Sequence, residues 1–91
     1  MTQCFNKSKL PDPIVYCSER NFRLIGNRTW RNTICPFHQD TKPSLVIHVE
    51  KGAFKCFSCG AKGGDVLAFH RLLHKMSFVD ACKDLGAWEA L

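Results

Sequence analysis

Long apolar runs are missing from this chain. In 91 residues no uninterrupted apolar stretch exceeds four, as at Val66–Phe69. A helix that crosses a membrane needs roughly 18 or more, so none is expected. The opening Met1-Thr2-Gln3-Cys4-Phe5-Asn6-Lys7 has no apolar stretch of signal-peptide length, and a cytoplasmic location is expected. Low-complexity segments and long internal repeats are absent too. No stretch reads as a linker between two cores. What remains is one small domain over residues 11–91, preceded by a polar, basic tail over 1–10. The hydrophobic fraction of 45% is too high for a disordered chain. A core of this size supplies only a few kcal/mol, so a staple is expected.

Cysteine is what the chain has in quantity. Six cysteines stand at positions 4, 17, 35, 56, 59 and 82. Three disulfides would be the default in a secreted mini-protein, but without a secretory signal metal or free thiols take precedence. Spacing decides more firmly. Cys35-Pro36-Phe37-His38 and Cys56-Phe57-Ser58-Cys59-Gly60 each hold a ligand pair separated by two residues, with 17 residues between the pairs. Two chelating turns joined by a hairpin-length insert form the pattern of a structural zinc site. Cys35, His38, Cys56 and Cys59 complete a four-ligand shell, which leaves no position for a catalytic water. Pro36 fixes φ in the first turn, and Gly60 stands where the second needs a positive φ. The other cysteines lack a partner at chelating distance. Cys17 and Cys82 read as small core residues, and Cys4 as part of the tail. His48 reads as a surface strand position. His70 and His74 share a helix face but lack the glutamate of a His-Glu-x-x-His metal helix.

Local signals place the elements. Asp12-Pro13 is an N-cap and a first-turn proline ahead of a short helix. Phe22–Ile25 and Thr29–Ile34 read as two strands of a hairpin turning at Gly26-Asn27-Arg28. Ser44–Glu50 and Ala53–Phe57 form a second hairpin around Lys51-Gly52. Asp65 caps a helix with Val66, Phe69, Leu73 and Met76 on one side. Ser77 to Asp80 is a capping box for a last helix, with Phe78, Ala81, Cys82 and Leu85 on one face and Gly86 as its stop. The expected fold is a small α+β zinc ribbon. A twisted antiparallel sheet carries a short N-terminal helix and the C-terminal helices packed on it.

Charge is uneven. The net +5 divides into +4 over residues 1–34, +2 over 35–64 and −1 over 65–91. A basic sheet region points to a polyanion. Trp30, Phe54 and Phe57 accompany Arg28, Arg31, Lys51 and Lys55, and aromatic faces beside cations suit single-stranded nucleic acid. Phe54 and Lys55 alternate, so they face opposite sides. Phe37 and Phe54 fit core packing better than stacking, whereas Trp30 suits either.

Taken together, Cys35-Pro36-Phe37-His38, Pro43-Ser44, Cys56-Phe57-Ser58-Cys59-Gly60, Gly63-Gly64-Asp65, Phe69 and Phe78-Val79-Asp80-Ala81 resemble the N-terminal zinc-binding domain of bacterial and phage DnaG-type primases. The resemblance covers roughly residues 12–86. It implies one structural zinc held by Cys35, His38, Cys56 and Cys59. It implies a domain that binds single-stranded template DNA and helps choose where primer synthesis starts in replication. A separate Toprim-type RNA-polymerase domain would make the primer. The basic residue in the turn before the last hairpin strand corresponds to Lys51, and that of the preceding hairpin to Arg28. Two departures stand out. The family often has Lys-Thr before Pro-Ser, where this chain has Thr41-Lys42. Lys62 lengthens the stretch after the last ligand by one residue.

The expected function is therefore a DNA-binding accessory module of a primase, with no catalytic residues of its own. Asp40, Asp65, Asp80 and Asp84 are scattered rather than clustered for catalytic magnesium. Arg28, Arg31, Lys42, Lys51 and Lys55 are the candidates for phosphate contact, Trp30 and Phe57 for stacking. Expected partners are the template strand, the polymerase domain and a replicative helicase, with no membrane. The rival is a protein-interaction module that docks a polymerase or helicase without touching DNA.

Overall fold

Three helices begin where a short polar side chain accepts amide hydrogens that the helix itself leaves unpaired. The computed structural model describes residues 3–37 and 42–90. Helix α1 spans Pro13–Glu19; the Asp12 carboxylate accepts from the amides of Ile14 and Val15. Helix α2 spans Val66–His74; Asp65 accepts from the Ala68 amide at 2.9 Å. Helix α3 spans Phe78–Asp84; the Ser77 hydroxyl accepts from the Asp80 amide. Gly86 follows at φ 76°, a left-handed stop that a side chain would strain. All three starts agree with the sequence reading.

Strands β2 (Trp30–Thr33), β3 (Leu45–His48), β4 (Phe54–Cys56) and β5 (Lys62–Gly63) form an antiparallel sheet in that order. The β3–β4 hairpin is the expected one, turning at Gly52 with φ 78°. The other expected hairpin is not formed. Phe22–Leu24 carry no strand, and Ile25 makes a single bridge to Asn32. The physical reason is packing: Phe22 and Leu24 are partly buried against the core, where the Phe22 ring meets Phe69 at 5.9 Å. β2 pairs with β3 instead, across the first chelating turn. The segment read as a tail also has structure. Strand β1 (Gln3–Phe5) pairs antiparallel with β6 (Trp88–Ala90), and Lys7–Lys9 form one 3-10 turn.

One face of the sheet is buried. Thr33, Leu45, Ile47, Phe54 and Cys56 point into a core shared with Tyr16 and Cys17 of α1 and Val66 and Phe69 of α2. Phe69 is its hub, with ring centroids 5.0 Å from both Phe37 and Phe54 and 5.7 Å from Tyr16. Phe37 and Phe54 thus pack as the sequence indicated. Leu67, Ala81 and Cys82 form a second, smaller cluster. At Gly63 β5 passes against α2. A Cβ there would lie 2.6 Å from both the Ala68 Cβ and Phe54 Cε1. Gly63→Ala is expected to cost about 1–3 kcal/mol by overpacking. Thermal unfolding checks this, and an unchanged Tm would mean that the β5–α2 contact yields without cost.

Candidate metal centre and the exposed sheet face

The metal centre is assembled from sequence-distant turns. Cys35 lies two residues past the end of β2, Cys56 ends β4, and Cys59 follows in the tight turn after it. Their Sγ atoms all lie within 4.8 Å of one another. The Cys35–Cys59 separation is 3.8 Å. Tetrahedral zinc with Zn–S near 2.3 Å sets its sulfurs about 3.8 Å apart, so the three thiols stand at the spacing the ion needs. His38 lies outside the described residues. The Cys56–Gly60 turn closes through a hydrogen bond from the Gly60 amide to the Cys56 carbonyl, and Gly60 takes φ 78°.

The thiols differ in character. Burial pushes Cys35 up to about 12, as its thiol neighbours do. Burial acts the same way on Cys56, yet its pKa is lowered to about 6, because hydrogen bonds from the Ser44 hydroxyl and the backbone amides of Cys59 and Ser58 favour the thiolate. The Ser44 Oγ is 3.5 Å from the Cys56 sulfur, and the Cys59 amide donates at 3.4 Å. One ligand is thereby prepared as an anion, the form in which a thiol binds metal. Ser44 has this role although the sequence reading gave it none beyond a shared Pro-Ser motif. Cys17, Cys35, Cys56, Cys59 and Cys82 are free of disulfides, and Cys17 and Cys82 are buried core residues. Cys4 lies among residues whose side chains are not described.

The opposite face of the sheet is open. Side chains paired across antiparallel strands project on the same side. The register Trp30↔His48 and Asn32↔Val46↔Lys55↔Lys62 places these residues together. Trp30 is 49% exposed and stands edge-on to His48 at 5.0 Å. Phe57, 70% exposed, continues the face just beyond β4, with the Lys55 ammonium 5.4 Å from its ring. Trp30, Lys55 and Phe57 thus share one face, with Lys55 and Phe57 adjacent. Arg31 is not on it: it shares the side of Ile47 and Phe54, and its Nε donates to the Arg28 carbonyl. Arg28 and Lys42 are exposed in the loops that flank the sheet. Lys51 stands at the hairpin tip and lines a cleft with Lys7, Pro13 and Val66. Lys62 and His48 belong to the open face but were missed as candidates. Their signal was alternation relative to Lys55 and Trp30, legible only once the register is known.

The sequence profile of the CHC2 zinc finger matches residues 13–90. The chain belongs to the CHC2 zinc-finger family of DnaG-type DNA primases. Among the relatives of this family, the DNA primase of Staphylococcus epidermidis is 43% identical over 84 residues, 89% of this chain and 13% of the relative. The DNA primase of Lactococcus lactis is 43% identical over 62 residues, 66% of this chain and 10% of the relative. The crystal structure of the Aquifex aeolicus primase, with zinc-binding and RNA polymerase domains, superposes with a TM-score of 0.70 at 34% identity. That match covers 84% of this chain and 18% of the Aquifex chain. As a CHC2 zinc finger the domain takes one structural zinc, and the three clustered thiols fit it. Held by Cys35, Cys56 and Cys59, the ion would pin the segment after β2, the end of β4 and the turn that follows it. Against its primase relatives the chain spans little more than a tenth of the length.

Proposed function

We propose that this domain binds single-stranded template DNA across the open sheet face and so supports primer synthesis in replication by a separate RNA-polymerase domain. The observation that carries the reading is the open face itself: Trp30, Lys55 and Phe57 exposed together on a sheet held by the metal centre. Aromatic rings offer stacking platforms to bases of any sequence, and cations between them pair with phosphates. His38 is the fourth zinc ligand in this reading, since the CHC2 pattern of one cysteine, one histidine and two cysteines matches Cys35, His38, Cys56 and Cys59 in order. Arg28 and Lys42 extend the cationic surface at its margins and Lys51 adds charge at the hairpin tip, whereas Arg31, on the other side of the sheet, takes no part in it. The zinc-loaded chain contributes binding; catalysis of primer synthesis belongs to the polymerase domain, with which a replicative helicase is a further partner.

The test is fluorescence anisotropy of a labelled single-stranded oligonucleotide with the zinc-loaded protein at two salt concentrations. Salt-sensitive binding is expected. Trp30→Ala should weaken it by about 1–3 kcal/mol, the worth of one stacked base. Lys55→Ala should reduce the salt slope by about 0.7, the value for one phosphate contact to a single strand. Binding absent at low salt would transfer the role of the domain to docking a polymerase or helicase. The exposed Ile14 and Val15 of α1 and Phe78 and Val79 of α3 would then be the surface to vary.

A further inference from the structure

We propose that the bound single strand does not end at the sheet but leaves it over the β5 edge, along a second phosphate track made by Lys62 and Arg71. This rests on the reading of the open face as a DNA surface and adds its exit. The first observation is a like-charge pair. Lys62 stands directly opposite Lys55 in the β4–β5 ladder, on the same side of the sheet. Opposed like charges destabilise an antiparallel pair. Among the described residues neither lysine, nor Arg71, forms an ion pair. An anion seated between the two ammonium groups removes the repulsion, and a phosphodiester is such an anion.

The second observation is what lies past the edge. β5 is the last strand of the sheet and only two residues long. Beyond it opens a cleft of about 380 Å³ lined by Lys62, Ala68, Arg71, Leu72 and Met76. Among the described residues no acidic side chain lines it. Its lining combines the apolar side chains of Ala68, Leu72 and Met76 with the cations Lys62 and Arg71, and a nucleotide offers the complement of both, an apolar base face and a charged phosphate. Arg71 is exposed on α2, its guanidinium 5.9 Å from the Phe78 ring. Lys62 belongs to both surfaces. It therefore joins the sheet face to the cleft, and the cationic path runs from Lys55 through Lys62 to Arg71 around the edge.

The test compares a short and a long probe, dT4 and dT12, on the zinc-loaded chain by anisotropy over a salt series. Four nucleotides can be held on the sheet alone, whereas twelve reach the cleft. Arg71→Gln is expected to leave dT4 binding unchanged and to weaken dT12 several-fold. Lys62→Gln/Arg71→Gln should lower the dT12 salt slope by about 1.4, two contacts at 0.7 each. Both residues are exposed, and unchanged circular dichroism confirms that the variants fold. If wild type binds both probes and loss is confined to Trp30→Ala and Lys55→Ala, the track is overturned while the sheet reading stands. Equal loss of dT4 and dT12 in Arg71→Gln also overturns the track. Failure of wild type to bind either probe overturns the track together with the reading beneath it.

Discussion

Stripping zinc with a strong chelator, or replacing Cys56 with serine, is expected to unfold the sheet half of the domain. Structural zinc binding in small fingers is worth on the order of 10–16 kcal/mol apparent at neutral pH. A chain of this size has a total stability of about 5–14 kcal/mol. The metal contribution is thus as large as the whole. The geometry says where the loss falls. Cys35 and Cys56 are buried in the same core as Leu45, Ile47 and Phe54. Without the ion, the β2 end, the β4 end and the following turn are held by short strands and a small apolar core. Cys56 also loses the charge-bearing role for which Ser44 and the Cys59 amide prepare it. Circular dichroism during chelator titration reads the result directly. A spectrum that does not change on complete zinc removal would show that the apolar core alone holds the ribbon.

His70→Ala should give the second largest effect, about 3 kcal/mol or more. His70 is 1% exposed and stands where the three helices meet. Its Nε2 is 2.5 Å from the Asp84 carboxylate of α3, and its Nδ1 is 2.7 Å from the Tyr16 hydroxyl of α1. A carboxylate only accepts, so Nε2–H donates to Asp84 and Nδ1 accepts from the Tyr16 hydroxyl. Tyr16 is held in its protonated form: burial pushes its pKa up to about 12, opposed by Arg20, whose guanidinium lies 3.7 Å over the ring. Truncation removes both bonds, leaves a buried hydroxyl unpaired and opens a cavity. Denaturant titration at saturating zinc measures the cost; less than about 1 kcal/mol would mean the network is idle.

The same residue predicts a pH dependence. Burial lowers the His70 pKa; Asp84 opposes the shift, while His74 and Arg20 add to it. The unfolded chain then binds a proton more readily than the folded one. The stability contribution is complete above the unfolded value, near 6.5, and is lost as pH falls below it toward the lowered folded value. Stability at saturating zinc should decline below that point in wild type. The decline should be shallower in His70→Gln, and identical curves would remove His70 as the cause.

How much of this could be read from the amino acids depends on how far apart the deciding residues lie. The sequence alone determined the helix starts at Asp12, Asp65 and Ser77, because a cap is a contact between residues two or three positions apart. It determined the tight turn from Cys56 to Cys59 on the same ground, and the β3–β4 hairpin from its own turn. It also indicated that Phe54 and Cys82 are core and that a basic, aromatic sheet is present. Only the tertiary structure decided which strand β2 joins, since its partner β3 lies beyond the intervening turn. It alone placed Phe22 against Phe69 rather than in a strand, and paired β1 with β6 from opposite ends of the chain. Register separated Trp30 from Arg31 and brought Lys55 against Lys62. Burial of His70 between Tyr16 and Asp84 joins helices 54 and 14 residues away in sequence. Such choices minimise exposed apolar area and unpaired polar groups over the whole molecule, and no window of neighbouring residues contains that sum.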